Sequence, residues 1–312
     1  MSKITLDGIN EHLKSVSRLV ATDDVTVEVK GLLDNSIAML ESLLSLMDKS
    51  PKKADAFTPD LDKFPLSKYF QVVDKLGKKV DAKPLLKEGE SVNDFFKEFL
   101  KYLTCQKGCH WMIDTETLGL SVNSTVVQLA MVPFSPISGG LFTVTFRGMQ
   151  GISIVHNANL DVSNQGREVD EDTLKWWKKS NTANLHLLTQ GTLPLFMELY
   201  YLKLFLNKDS QVWANSPTFD LALIKNCYEM FGESTPIHFR NEWDVRTASK
   251  MAGLSKVALD KMYPESDKYW GHPEGLAHNA LIDCLTQVYQ VQLAYTMLGI
   301  IIKKQFKEED KS

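Results

Sequence analysis

The chain has 312 residues, 44% of them hydrophobic, and a formal charge of −4 from 35 basic and 39 acidic side chains. That is enough apolar material for a real core and for more than one domain. The mild acidity excludes a broad DNA-coating or anionic-membrane surface.

In chain order, residues 1–104 read as helical. The N-terminus, "MSKITLDGINEHLK", is polar and lacks the apolar stretch of a signal peptide. In "VKGLLDNSIAMLESLLSLMDK", apolar side chains fall at Val29, Leu33, Ile37, Leu40, Leu44 and Met47. Steps of three and four place them on one helix face, as in a bundle helix or a short dimerising coiled coil. "KSPKKADAFTPDLDKFP" (49–65) has three prolines and mixed charge and reads as a linker. "SVNDFFKEFLKYL" (91–103) resumes the helical pattern, with Ser91 or Asn93 as its cap.

From about residue 105 the texture changes. "CHWMID", "TVVQLAMVPF" (125–134) and "LFTVTFRG" (141–148) are rich in β-branched and aromatic residues, and predict three strands of a meander. A polar loop and a short helix, "DEDTLKWWKKS" (170–180), follow. Next come a helix over 193–207, a strand "QVWAN" (211–215) and a helix "FDLALIKNCYEMFG" (219–232). An irregular stretch with Trp243, Pro264, Gly271 and Pro273 leads to a long helix from near Asn279. Strands first, then helices alternating with further strand, predict one α/β domain with a mixed sheet over 105–312, behind a helical N-terminal domain over 1–104. No apolar run is long enough to cross a bilayer; "LAYTMLGIII" (293–302) reads as the end of a core helix. The four cysteines, Cys105, Cys109, Cys227 and Cys284, have no zinc-site spacing and read as reduced thiols of a cytoplasmic protein.

Carboxylates are the informative residues. On a strand, residues i and i+2 point to the same face, so Asp114 and Glu116 in "IDTETLGL" project together at a strand end. Two anions there raise one another's pKa unless a cation sits between them. Asp220 opens an apolar helix directly after "VWANSPTF". Asp283 lies among the apolar Leu281, Ile282, Leu285, Val288 and Val291, where a carboxylate is costly without a partner. His278 precedes Asp283 by five residues, about 140° away from the same face of a regular helix. The two meet at one site only if His278 sits at the loop–helix junction, with Asn279 as N-cap. Hard oxygen donors select Mg²⁺ or Mn²⁺ over zinc, and two such ions about 3.5–4 Å apart suit a phosphodiester displacement. A neutral His can take the proton from the attacking water.

These residues, in this order, resemble the DEDD exonuclease superfamily. Its motifs appear as "IDTETLGL" (113–120), "NSPTFDLALI" (215–224) and "HNALIDC" (278–284). The His-x-x-x-x-Asp form of the third marks the DEDDh branch. "GREVDEDTLKWWKKS" (166–180), "VWANSPTFDLALI" and "WDVRTASKMAGL" (243–254) look like the group containing exonuclease A of T-even phages and a mycobacterial exoribonuclease. The resemblance covers about 109–300 and implies an RNase H-like fold, two divalent ions, and 3′→5′ release of nucleoside monophosphates. It implies that Asp114 bridges both metals, Glu116 and Asp283 complete one site, Asp220 holds the other, and His278 is the general base. A phage origin would put the protein in the host cytoplasm.

Single-stranded DNA or RNA 3′ ends are the implied partner. Trp176 and Trp177 diverge by about 100° on a helix, so one packs in the core while the other faces the site, or both pack. Lys179, Thr115, Asn215 and Arg246 are further substrate-contact candidates. Competing readings are an interaction or regulatory protein, whose residues 1–104 bind a partner while the nuclease fold serves as a platform, and an endonuclease or nucleotide phosphohydrolase on the same metal centre.

Overall fold

A computed structural model describes residues 59–255, 257–258, 261–271 and 278–309. The helix expected over 29–47, most of the 49–65 linker, His272 and Pro273 lie outside the described residues.

Three antiparallel strands form the centre of the sheet: β2 (His110–Thr117), β3 (Val126–Phe134) and β5 (Met149–Asn159). β1 (Phe70–Val73) adds to the outer edge of β5. On the other side β6 (Gln211–Ala214) and β7 (Glu242–Asp244) run parallel to β2 and to each other, giving the order β1-β5-β3-β2-β6-β7. A meander followed by parallel strands beyond its first member is RNase H-like topology, so the α/β expectation holds.

The meander's third strand is not where the sequence put it. Within 141–148 only β4 (Val144–Phe146) is strand, a short hairpin arm on β5. Its two-residue turn has positive φ at Arg147 (50°) and Gly148 (86°), the type I′ requirement. Arg147 is held there by a two-pronged pair to Glu90, at 2.6 and 2.8 Å, and by the Leu85 carbonyl at 2.8 Å. β5 itself occupies a segment expected to be polar loop.

Helices cover both faces. α1 (Val92–Thr104) is capped by Ser91, whose Oγ accepts the Asp94 N–H at 3.1 Å. With α4 (Leu195–Phe205) and α5 (Asp220–Met230) it covers one face, around Phe95, Phe99, Trp111, Tyr201 and Phe205. On the opposite face lie α6 (Val245–Met251), α7 (Met262–Trp270) and the long α8 (Ala280–Glu309), around Met112, Val132, Trp213, Cys284 and Val288. α2 (Glu171–Ser180) and the single turn α3 (Leu187–Gln190) cover the end of the meander through Trp177 and Leu187. No helix among the described residues is long and apolar enough to cross a membrane.

The domain boundary expected at 104 is not there. The chain divides between Phe57 and Thr58, and β1 and α1 belong to the same compact unit as the sheet. Residues 59–104 are therefore not a helical domain: they supply an edge strand, and α1 contributes Phe95, Phe99 and Leu103 to the shared core.

Candidate active site

Alternation along β2 puts Met112, Asp114 and Glu116 on the α8 face, while Trp111 and Ile113 face the aromatic core. Between Glu116 and Thr117 the pairing with β3 slips by a bulge, a device that re-aims side chains at a strand end. Asp220 arrives from the other face as the first residue of α5. Its Oδ1 accepts the Thr115 N–H at 3.2 Å and the Thr115 hydroxyl at 2.7 Å.

The start of α8 supplies the rest. Asn279 caps it, its Oδ1 accepting the Leu281 N–H at 3.2 Å. The Ala280 N–H donates to Gln128 Oε1 at 2.8 Å, and Gln128 is fixed by Asn157 and Asn159 at 3.0 and 3.1 Å. His278 lies two residues ahead of the helix with φ of 63°, a left-handed backbone that costs a non-glycine residue energy. That backbone is tied at both ends. Its N–H donates to Asp283 Oδ2 at 3.2 Å, and its carbonyl accepts Asn184 Nδ2 at 3.0 Å and Asn181 Nδ2 at 3.5 Å. The left-handed turn brings His278 back over Asp283, which one continuous helix does not allow. One ligand atom from each of Glu116, His278 and Asp283 lies within 4.8 Å of the others.

All four carboxylates are buried. Burial first, then the charges of Asp220, Asp283 and Glu116, push the Asp114 carboxyl well above its ordinary range; a 2.7 Å bond from Gln287 Nε2 works the other way. Burial and the Asp283 and Asp220 charges push Glu116 up to about 8. Burial raises Asp220 to about 6, against the Thr115 bonds and the nearby Arg246 charge, which lower it. The pocket thus gathers more anionic oxygen than the fold neutralises, which fits divalent cations with oxygen ligands. His278 is exposed at the rim and packs edge-on against Trp176, ring centroids 4.8 Å apart. Desolvation lowers its pKa below the ordinary histidine value.

A family model described as the 3′-5′ exoribonuclease Rv2179c-like domain matches residues 109–295, more than half of the chain. The chain belongs to that family. Its Rv2179c-like domain is a 3′–5′ exonuclease domain that spans β2 to most of α8 and leaves out β1 and α1. No curated protein matches the chain. Among solved structures it is similar to Pop2p of S. pombe in a Mg²⁺- and Mn²⁺-bound form, at 12% identity and TM-score 0.41, covering 64% of this chain and 85% of that one. It is also similar to the RNase domain of yeast Pop2, at 14% and 0.42, covering 65% and 83%. A third is E. coli exonuclease I with a dA16 oligonucleotide, at 12% and 0.42, covering 64% and 43%. At such distances no residue correspondence is carried over.

Within the Rv2179c-like domain, Asp114, Glu116, Asp220, Asp283 and His278 come together. The expected substrate contacts fare unevenly. Trp177 is not one: it is buried and its Nε1 donates to the Thr117 carbonyl at 3.0 Å. Thr115 is buried with its hydroxyl committed to Asp220, so it orients that carboxylate. Trp176 is 37% exposed beside His278. Asn215 is half-buried after β6, Arg246 is exposed with its charge acting on Asp220, and Lys179 is exposed on the last turn of α2. Sequence reasoning missed Gln287, Asn181 and Asn184. Gln287 had a signal: it lies four residues after Asp283, on the same helix stripe.

Proposed function

We propose that this chain is a DEDDh-type 3′→5′ exonuclease, of the group resembling exonuclease A of T-even phages, that releases nucleoside monophosphates from single-stranded or frayed ends. One observation carries the reading: four buried carboxylates from three separated segments form one cluster with an exposed imidazole beside it. In this reading Mg²⁺ or Mn²⁺ would be held by the four carboxylates: Asp114 would serve both of two positions, Glu116 and Asp283 one of them, and Asp220, oriented by Thr115, the other. Ions held there would supply charge stabilisation to the attacking and leaving oxygens of the phosphodiester. His278, kept neutral at pH 7 by its lowered pKa, accepts the proton of the attacking water and passes it to solvent at the rim. Asn184 and Asn181 hold the His278 backbone over the pocket, and Gln287 holds Asp114. Trp176 offers an aromatic face to the terminal base, a contact worth about 1–3 kcal/mol.

Matched single-stranded DNA and RNA, labelled at the 5′ end and digested with and without EDTA, test this. Stepwise shortening from the 3′ end that EDTA abolishes is the expected result, and the two rates give the sugar preference. Internal cuts would make the protein an endonuclease. Cleavage that survives EDTA would remove the metal centre from the account.

A further inference from the structure

The residues that precede the Rv2179c-like domain build a groove along β1, with a volume of about 430 Å³. Lys68, Lys79 and Lys83 line it against a single acid, Asp81, in a chain whose overall charge is −4. All three lysines are exposed. Lys68 is held in place: its Nζ donates to Thr192 Oγ1 at 3.0 Å and lies 5.4 Å from the Tyr69 ring centroid. Tyr69 also lines the groove. Its hydroxyl is buried and has no hydrogen-bond partner among the described residues. Apolar surface from Phe96 and Leu86 alternates with the lysines. Charged rim plus apolar floor is the combination that a single strand, with phosphates outside and base faces within, can use.

The groove reaches the catalytic helix. Leu281, the second residue of α8, lines it, and Asp283 follows about 3 Å further along the helix axis and about 200° around it, so the groove and the acid cluster lie on either side of the first turn of α8. Asn157, another lining residue, bonds Gln128, which in turn accepts the Ala280 N–H. A strand that leaves the acid cluster and turns around the start of α8 enters the groove that the lysines line.

We infer that this groove binds the body of a single-stranded nucleic acid, on the 5′ side of the phosphate at the acid cluster. The inference rests on the exonuclease reading, and the test separates the two. Anisotropy of the full chain in EDTA, with a labelled trinucleotide and a strand of about 16 nucleotides, measures binding without cleavage. The parent is expected to favour the longer strand. In a Lys68→Gln, Lys79→Gln, Lys83→Gln triple variant, the long-to-short affinity ratio falls about tenfold, and the log–log salt slope for the long strand shrinks by about 2, three contacts at about 0.7 each. Lys101→Gln, Lys107→Gln and Lys208→Gln together, three exposed lysines outside the groove lining, serve as the control for charge alone. A triple variant that keeps the parental ratio and slope overturns the groove, whether or not the parent cleaves. Tighter binding in that variant also overturns it. A parent that shows the length preference but never shortens a strand with Mg²⁺ or Mn²⁺ loses the exonuclease reading and keeps the groove.

Discussion

On one face of the sheet, Glu198 of α4 is fully buried with its Oε1 2.7 Å from His156 Nε2. His156 Nδ1 lies 3.1 Å from the Tyr69 carbonyl, which only accepts, so Nδ1 is the ring nitrogen that donates there and Nε2 is left to the Glu198 carboxyl. On the other face, Asp114, Glu116, Asp220 and Asp283 are buried together, and the charges of their neighbours add to burial in raising the pKa of Asp114 and Glu116. The first acid has its hydrogen-bond partner inside the fold. The second group needs charge from outside. A buried carboxylate is structural or functional according to where its partner comes from, and substitutions should separate the two sites.

The largest effect is expected at Asp114. Asp114→Ala should lower metal-dependent cleavage by at least about a thousandfold, measured on end-labelled strands. In EDTA its melting temperature should match or exceed the parent's, because one repelling anion is gone. Glu198→Ala should behave the other way. It leaves the buried His156 Nε2 without its partner, and urea denaturation should show a loss of about 1–3 kcal/mol. A stable Glu198→Ala together with an unfolded Asp114→Ala would invert the comparison.

His278→Ala should slow cleavage by about 100- to 10,000-fold, while the rise in melting temperature on adding Mn²⁺ stays near the parental value. Equal losses in both would make His278 a ligand.

A smaller effect lies in the pH dependence of the metal-free protein. Glu116 has a folded pKa of about 8 against an ordinary 4.5, and Asp220 about 6 against 3.8. Between those values the folded state holds protons that the unfolded state has released. Stability is therefore greatest below the ordinary values and is lost as pH rises towards 8. Melts in EDTA from pH 5 to 8 should fall, less steeply for Glu116→Gln, and saturating Mn²⁺ should flatten the slope. A parental curve that rises with pH would put these carboxylates outside a shared buried cluster.

The site was more legible than the fold. Its acids stand out because each breaks an apolar pattern, and the five-residue step from His278 to Asp283 demanded a junction that the left-handed His278 supplies. β5 was hidden because His156, Asn157 and Asn159 interrupt its apolar alternation. Their partners, Glu198 and Gln128, lie far along the chain. β1 has only four residues and gains its stability from β5, which local pattern does not register. The two tryptophans were left open by periodicity. Only tertiary packing decides that Trp177 is core and Trp176 faces His278.

Calorimetric titration of Mn²⁺ into the full chain near neutral pH asks directly whether these acids are a cation site. Two ions per chain in the parent, with a clear loss of binding in Asp114→Asn, is the result expected from a carboxylate that serves both positions. Binding in Asp114→Asn that equals the parent's, or no uptake by the parent, would contradict it.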